Sequence, residues 1–353
     1  MNAGMHLNTT ESSKSVWSLL LSAFFTLYCS FASQAQEPKD TIPFCVMSYN
    51  VENLFDCQHD SLKNDAEFLP HSPRHWTYRK YRKKLDNLAK VILGVGQWNP
   101  PALVGLCEVE NDSVLHALTR YSLLRHMDYR YLITHSSDAR GIDVGLLYQR
   151  KLFQPIYMQS LSVPKPAGFS HATRDILHVS GRLLNLDTLD VMVCHFPSRR
   201  GGARASEAYR LAAATTVRKC VDSLCLIRQK PQILIMGDFN DYPNNRSIQV
   251  ILGQNPTMQH LLLHVSQQKN TGSYKYQGSW GLLDHIIVSP QLTDSTAALY
   301  TPLAGGQIYQ PPFLLISDKK FGGVQPFRTF LGMKYLGGFS DHLPVYVNFR
   351  MIY

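Results

Sequence analysis

The sequence of 353 residues lacks the features that mark thiolate-metal, disulfide-framed or membrane-embedded proteins. It has seven cysteines, no C-x-x-C pair and no His/Cys cluster with zinc spacing, which excludes the common structural zinc motifs. Glycine and proline, at 22 and 19 residues, are near average, so the chain is neither collagen-like nor of low complexity. After residue 32 no apolar run approaches the length of a membrane span. The remaining composition predicts a globular protein with a sizeable core.

One long apolar segment occurs at the amino terminus. Residues 16–32 read VWSLLLSAFFTLYCSFA, and the small residues Ser33 and Ala35 precede Gln36. This pattern predicts a signal peptide over residues 1–35 that is removed on export, with an uncleaved anchor as the alternative. We therefore expect an exported protein, located in the periplasm, outside the cell or at the cell envelope. The six cysteines after residue 35 have spacings that do not resemble a disulfide framework.

The formal net charge is +9, and much of it lies in one short segment. Six cations and no acid occur between Arg74 and Lys84. Most of them are predicted to lie opposite the apolar stripe of a helix, on a solvated face. Attraction of a polyanion such as nucleic acid is the alternative interpretation.

Strand-like and helix-like segments alternate after residue 36, with no linker-like change of composition. This alternation predicts one domain over residues 36–353, with α/β architecture in which packed sheets are covered by helices. The range 303–338, rich in glycine and proline, is predicted to be an elaborated loop. The strands are predicted at 43–51, 102–109, 129–134, 143–148, 189–196, 233–236, 282–288 and 342–352, and the helices at 76–95 and 205–228.

Six of these segments are linked to a short polar motif. The motifs are SYNVEN (48–53), LCEVEN (106–111), CHFPS (194–198), GDFN (237–240), LLDH (282–285) and SDH (340–342). Polar groups next to apolar strands are costly unless they are satisfied. Carboxylate and amide oxygens without thiols suit Mg²⁺, Mn²⁺ or Ca²⁺, and isolated histidines suit proton transfer or phosphate contact. The set predicts metal-dependent hydrolysis of a phosphate ester.

In this order the six motifs resemble those of the endonuclease/exonuclease/phosphatase superfamily, to which pancreatic deoxyribonuclease belongs. The resemblance covers residues 43–353 and identifies the chain as an exported member of bacterial type. It implies a four-layer α/β sandwich, with two mostly antiparallel sheets face to face and helices outside. It also implies a divalent metal, Mg²⁺ with Mn²⁺ or Ca²⁺ as alternatives.

The resemblance implies a role for each matching position. The metal residues would be Asn50, Glu108 and Asp341, and the catalytic residues His195, Asp238, Asn240, Asp284 and His342. Asp238 and Asn240 would orient the attacking water and hold the phosphate, and Asp284 would fix the tautomer of His342. Adjacent residues on a strand point to opposite faces, so Asp341 cannot serve His342. Whether Asp238 or His342 is the general base stays open.

Weaker substrate-binding candidates are Arg140, Ser198, Arg199 and Trp280, each of which also has an ordinary structural interpretation. Asp143 could orient His195. Glu52 and Glu110 are read as loop carboxylates.

The substrate is predicted to be a phosphodiester, with a nuclease on DNA or RNA favoured. The alternatives are a phosphomonoesterase and a sphingomyelinase-like phospholipid phosphodiesterase. An inactive surface binding module is the alternative from another class. The segment Asp241-Tyr242-Pro243 departs from the inositol-polyphosphate branch. We expect a monomer without a stable protein partner.

Overall fold

Two β-sheets form the centre of the computed structural model, which describes Met1 and residues 40–353 except 62, 200 and 256. The predicted signal peptide lies outside the described residues apart from Met1. The strands are β1 (Thr41–Leu54), β2 (Leu103–Val109), β3 (Tyr129–Ile133), β4 (Asp143–Gln149), β5 (Phe153–Leu161), β6 (Ile176–Leu183), β7 (Thr188–His195), β8 (Gln232–Asp238), β9 (Gln259–His260), β10 (Tyr274–Tyr276), β11 (Ser279–Gly281), β12 (Asp284–Val288), β13 (Leu299–Tyr300), β14 (Gly306–Ile308), β15 (Leu315–Ser317), β16 (Val324–Pro326), β17 (Phe330–Leu331), β18 (Lys334–Tyr335) and β19 (Val345–Ile352). The helices are α1 (Tyr78–Gly96), α2 (Asp112–Tyr121), α3 (Glu207–Ile227), α4 (Arg246–Leu252) and α5 (Leu263–Ser266).

The first sheet has the order β13-β19-β1-β2-β4-β3, with β14 also on β19, and the second has the order β5-β6-β7-β8-β12-β9. Each sheet contains one parallel pair, β1 with β2 and β7 with β8, and the other pairs are antiparallel. A parallel pair needs a long crossover, and α1 and α3 occupy the two crossovers. The carboxyl ends of each parallel pair therefore lie side by side.

Three separate apolar clusters show that the described chain has four layers. Along β1, Cys45 and Met47 face the helix side, whereas Phe44 and Val46 face the second sheet. Strand β8 alternates in the same way, toward the first sheet and toward α3 and α4. This alternation follows from the two-residue period of a strand. The predicted four-layer α/β sandwich is confirmed.

The predicted elements agree with the structure except at a few places. Several elements were not predicted, namely strands β5, β6, β9, β10, β11 and β13 and helices α2, α4 and α5. The last strand begins at Val345 rather than at His342. The predicted loop over 303–338 contains β14 to β18, which form short hairpins or pair with β19. Within the described residues, no helix is both long enough and apolar enough to span a membrane.

The basic segment at the start of α1 differs from the prediction of a solvated face. The side chain of Lys84 is buried, with 1% of the residue exposed. The guanidinium of Arg74 lies over Phe68 and Phe330, 5.4 and 5.0 Å from the two ring centroids. The local cation count therefore overstates the charge that this helix offers to a polyanion.

Candidate active site

The ends of the two parallel pairs meet at one edge of the sandwich. Asn50, near the end of β1, donates from Nδ2 to Oδ2 of Asp238 at the end of β8, over 3.0 Å. In the second sheet, Asp238 is the register partner of both His195 and Asp284. One hydrogen bond therefore joins the polar ends of the two sheets. Every sequence motif except LCEVEN contributes Asp238 itself or a residue that contacts or pairs with it.

Asp238 is the centre of this arrangement. Its Oδ2 also accepts from Nδ2 of Asn240, over 3.3 Å, and its Oδ1 accepts from the backbone N of Asn240, over 2.9 Å. Asn240 has a φ of 51°, a backbone conformation that functional sites often hold under strain. Burial raises the pKa of Asp238 to about 7; His342 lowers it and Asp284 raises it. A carboxyl group in this state exchanges protons near neutral pH.

His342 lies between two carboxylates. Its Nδ1 is 2.7 Å from Oδ2 of Asp284, and its Nε2 is 3.7 Å from Oδ2 of Asp238. Burial lowers the pKa of His342, but Asp284 and Asp238 outweigh burial and raise it well above its usual value. Because a carboxylate faces each nitrogen, both nitrogens favour a proton.

His195 has the opposite character. Its Nε2 is 3.8 Å from Oδ2 of Asp238 and 3.9 Å from Oε1 of Glu108. Burial lowers its pKa well below the usual value, and Arg174, Arg140 and His342 lower it further, so the imidazole is neutral. Its buried Nδ1 has no partner among the described residues. Asp143 does not orient His195, because its carboxylate accepts from Lys63 and Thr134 instead.

The candidate metal residues Glu108 and Asp341 each contact an arginine. Oε1 of Glu108 is 3.2 Å from Arg140, and Oδ2 of Asp341 is 2.9 Å from Arg328. Glu108 has a φ of 67° at the point where the β2–β4 register shifts, and such a bulge redirects a side chain. Both carboxylates attract a cation and offer oxygen atoms, which are the donors that a hard divalent metal prefers. Asn50 contacts Asp238 but keeps a carbonyl lone pair for such a metal, because Oδ1 accepts only from the Glu52 backbone N.

Among the described residues, Asp238, Asp284 and His342 have ligand atoms close enough together to hold a metal. One atom each of Asp238, Asp284 and His342 lies within 4.8 Å of the others. The short Asp284–His342 hydrogen bond and the raised pKa of His342 favour protons in this group. Since a protonated imidazole has no lone pair for a metal, this group can bind a metal through all three residues only when His342 is deprotonated.

The four substrate-binding candidates have different surroundings. Arg140 donates to Oδ1 of Asn53, over 2.8 Å, and pairs with Glu108, so it borders the metal residues. Ser198 is half-buried and follows His195 by three residues. The guanidinium of Arg199 lies 4.7 Å from the ring centroid of Tyr242. Trp280 is half-buried at a neighbouring cleft.

This cleft has a volume of about 530 Å³. Its lining includes Tyr242, two residues after Asn240, and Leu282, two residues before Asp284. None of the described residues that line it is charged. They are Tyr242, Pro243, Asn244, Gln249, Leu263, Ser266, Gln268, Asn270, Thr271, Trp280, Gly281 and Leu282.

The structure adds residues that sequence reasoning missed. The ring of Tyr274 lies on His342, with centroids 4.7 Å apart. Oγ of Ser340 donates to the backbone O of Asn50 and accepts from the backbone N of His342. Ser340 stood within the SDH motif, but no sequence pattern indicated Tyr274. Glu52 and Glu110, which were predicted to be loop carboxylates, are both buried, and Glu52 lies within β1.

Comparisons with known proteins agree with this fold. Residues 45–351 match the Endonuclease/Exonuclease/phosphatase family. No curated protein matches the chain. A family protein from Bacteroides thetaiotaomicron has a TM-score of 0.53 and 14% identity, covering 88% of this chain and 99% of its own. The human Nocturnin catalytic domain with bound sulfate has a TM-score of 0.53 and 15% identity, covering 88% and 97%. Humanized D. rerio TDP2 has a TM-score of 0.53 and 15% identity, covering 87% and 98%.

The fold and the site define a phosphoric ester hydrolase built on a four-layer sandwich. The chain belongs to the endonuclease/exonuclease/phosphatase family, as the match over residues 45–351 shows. Enzymes of this family use divalent metals, and the predicted enzyme class is confirmed.

Proposed function

We propose that this protein is an exported nuclease that uses Mg²⁺, or Mn²⁺, to hydrolyse phosphodiester bonds of DNA or RNA by in-line attack of water. The observation that supports the choice of nucleic acid is the uncharged cleft whose lining follows Asn240 and precedes Asp284 by two residues in the sequence. Its amide and aromatic side chains suit the flat face and polar edge of a nucleobase. An inositol polyphosphate would need cations there, and none of the described lining residues is a cation.

Different side chains of the protein have different roles in the proposed phosphodiester hydrolysis. Glu108 and Asp341, with Asn50 beside them, would hold the divalent metal, which when bound neutralises charge on the phosphate. Asp238 accepts a proton from water that Asn240 helps to position. His342 donates from Nε2 to a phosphate oxygen, since its Nδ1 is committed to Asp284. His195 faces Glu108 and Asp238 through Nε2, which favours the tautomer that donates from this nitrogen.

A substrate panel tests the proposal. Plasmid DNA, RNA, sphingomyelin, inositol phosphates and bis-p-nitrophenyl phosphate are each incubated with Mg²⁺ or Mn²⁺, with and without chelator. We expect metal-dependent cleavage of a nucleic acid, and loss of that cleavage in Asp238→Ala. Consumption of only a lipid or a phosphomonoester would refute the nuclease. Identical results for wild type and Asp238→Ala would favour the inactive binding module.

Variants of the cleft separate base contact from chemistry. Tyr242→Ala and Trp280→Ala should raise KM for nucleic acid about tenfold, because stacking contributes about 1–3 kcal/mol per base. Their hydrolysis of bis-p-nitrophenyl phosphate, which has no base, should stay unchanged. Tyr276→Ala is the matched control, because Tyr276 is 61% exposed and lies outside the lining residues. A KM that is unchanged for nucleic acid would remove the cleft from the proposal.

The proposed export has its own test. Mass spectrometry of protein recovered from cell fractions should find a mature chain that begins at Gln36. A full-length chain in the cytoplasmic fraction would contradict export, and a full-length chain in the membrane fraction would indicate the anchor instead. The same preparation should elute as a monomer.

A further inference from the structure

Glu52 and Asn53 form a bulge near the end of β1, which contacts the candidate metal residues Asn50 and Glu108 directly and Asp341 through Arg328. The backbone N of Glu52 donates to Oδ1 of Asn50 over 3.0 Å, and the backbone N of Asn53 donates to Oε2 of Glu108 over 2.9 Å. Arg328 links the carboxylate of Glu52, over 3.2 Å, to that of Asp341, over 2.9 Å. This bulge therefore helps to set the relative positions of candidate metal ligands that come from three separate motifs.

The bulge has an uncommon backbone conformation. Glu52 and Asn53 both have a φ of 52°, which is unfavourable for residues with a Cβ and persists only where surrounding contacts enforce it. Two oxygens of Glu52 supply part of this enforcement. Oε2 accepts from the backbone N of Thr329 over 2.6 Å, and Oε1 accepts from Arg328. Both carboxylate oxygens of Glu52 thus accept hydrogen bonds from other parts of the protein.

Lys84 also stabilises the backbone conformation at Glu52. Its ammonium donates to the backbone O of Glu52 over 3.1 Å, to Oγ1 of Thr329 over 2.5 Å and to the backbone O of Phe339 over 2.7 Å. All three ammonium hydrogens therefore have an acceptor. The three acceptors lie on the Asn50 segment and on the segment that leads to Asp341. A buried charge is costly unless it is fully hydrogen-bonded, so this lysine stabilises one arrangement of the two segments.

We propose that Lys84, Glu52 and Thr329 are positioning residues that preorganise Asn50, Glu108 and Asp341 for a divalent cation. The inference rests on the metal assignment in the proposed function. Partners that orient metal ligands typically change metal affinity about 10- to 100-fold when they are replaced. None of the hydrogen bonds made by the side chains of Lys84, Glu52 and Thr329 goes to His195 or Asp284; the nearest link to the catalytic groups is Asn50, which donates to Asp238.

Direct binding of Mn²⁺, followed by the electron paramagnetic resonance signal of the free ion, tests the proposal without turnover. Lys84→Met keeps side-chain length but removes the donors, and Lys83→Met is the control on the exposed neighbour. We expect Lys84→Met and Glu52→Gln to raise the Mn²⁺ Kd about 10- to 100-fold. At saturating Mn²⁺ their KM for substrate should stay within about twofold of wild type.

Two variants of Thr329 perturb the protein less, and they test the proposal if Lys84→Met does not fold. Thr329→Val removes only the hydroxyl acceptor and should raise the Mn²⁺ Kd several-fold, whereas Thr329→Ser should restore the wild-type Kd. Lower urea midpoints with an unchanged Mn²⁺ Kd would overturn the inference and leave a purely structural role. A wild-type protein that binds no Mn²⁺ would overturn the metal assignment and the inference together.

Discussion

His342 and Asp284 are joined by a hydrogen bond of 2.7 Å although they lie 58 residues apart in the sequence. Asp284 begins β12 opposite Asp238 in β8, so strand pairing places one carboxylate behind the imidazole and another in front of it. The ring of Tyr274 covers the same imidazole. Sheet register, and not local sequence, thereby produces a charged histidine at the edge of the sandwich.

Replacing Asp284 by Asn should lower kcat with little change in KM. The amide keeps the shape of the carboxyl group but removes the charge that stabilises the imidazolium of His342, so the phosphate loses a donor. We expect kcat to fall by about 10²- to 10⁴-fold, the usual range for general acid–base groups and their partners. Steady-state kinetics with bis-p-nitrophenyl phosphate measure this effect.

Asp294→Asn is the control for that variant, because Asp294 is an exposed aspartate outside the site. It should retain wild-type kinetics. A kcat for Asp284→Asn within about threefold of wild type would show that the charge on His342 does not contribute to the reaction.

Chelation should abolish hydrolysis, and added Mg²⁺ or Mn²⁺ should restore it. Glu108→Gln removes one negative charge from the metal ligands, and ligand charge strongly affects the affinity for hard cations. The Mn²⁺ concentration for half-maximal activity should therefore rise at least about tenfold, as a metal titration would measure. Glu67→Gln, on an exposed glutamate, should titrate like wild type. Full activity after exhaustive chelation would contradict the metal assignment.

The main elements of the fold and the motifs of the site were accessible from the sequence for a physical reason. Apolar periodicity identified α1, a continuous apolar run identified β8, and β-branched and aromatic content identified β1, because each of these elements is buried against another layer. Polar motifs next to buried strands identified Asp238 and Asp284. Both inferences use local patterns that burial imposes on neighbouring residues.

The missing parts depend on contacts between distant segments. Lys84 lies in a run of cations, and only Thr329 and Phe339, more than 240 residues away, explain its burial. Strand β5 is an edge strand with mostly exposed side chains and a proline, so it has neither a strong alternation nor a buried face. Arg328 stood in a range predicted to be a loop, and its two carboxylate partners come from both ends of the chain.

Stability should fall as the pH drops below about 6.5. His260 and His285 are buried and hydrogen-bonded, Nε2 to Nδ1, over 2.8 Å, and Nε2 of His285 donates to the backbone O of Asp241. Burial lowers the pKa of His285 to about 4 from an unfolded value of about 6.5. The folded state therefore favours the neutral form, and its stabilising contribution is complete above pH 6.5 and is lost as the pH falls toward 4.

Urea unfolding at pH 7.5 and pH 5 measures this loss, which we expect to be about 2 kcal/mol from His285 by proton linkage. His285→Gln should remove most of that difference, whereas His71→Gln, on an exposed histidine, should keep it. An equal pH dependence in the two variants would assign the loss of stability to other groups.

Gly237→Ala should destabilise the protein through one specific overlap. Gly237 has a φ of 149°, and a Cβ at this position would overlap the carbonyl oxygen of Cys194 and lie 2.9 Å from the Cys194 backbone N. The overlap forces β7 and β8 apart at the residue before Asp238, so the free energy of unfolding should fall by at least about 3 kcal/mol. Gly168→Ala is the matched control, because Gly168 has a φ of 86° and open space around the added Cβ. Backbone strain alone should cost that control about 1–2 kcal/mol. Similar urea midpoints for the two variants would show that strain, and not the close approach of β7 to β8, accounts for the glycine of the GDFN motif.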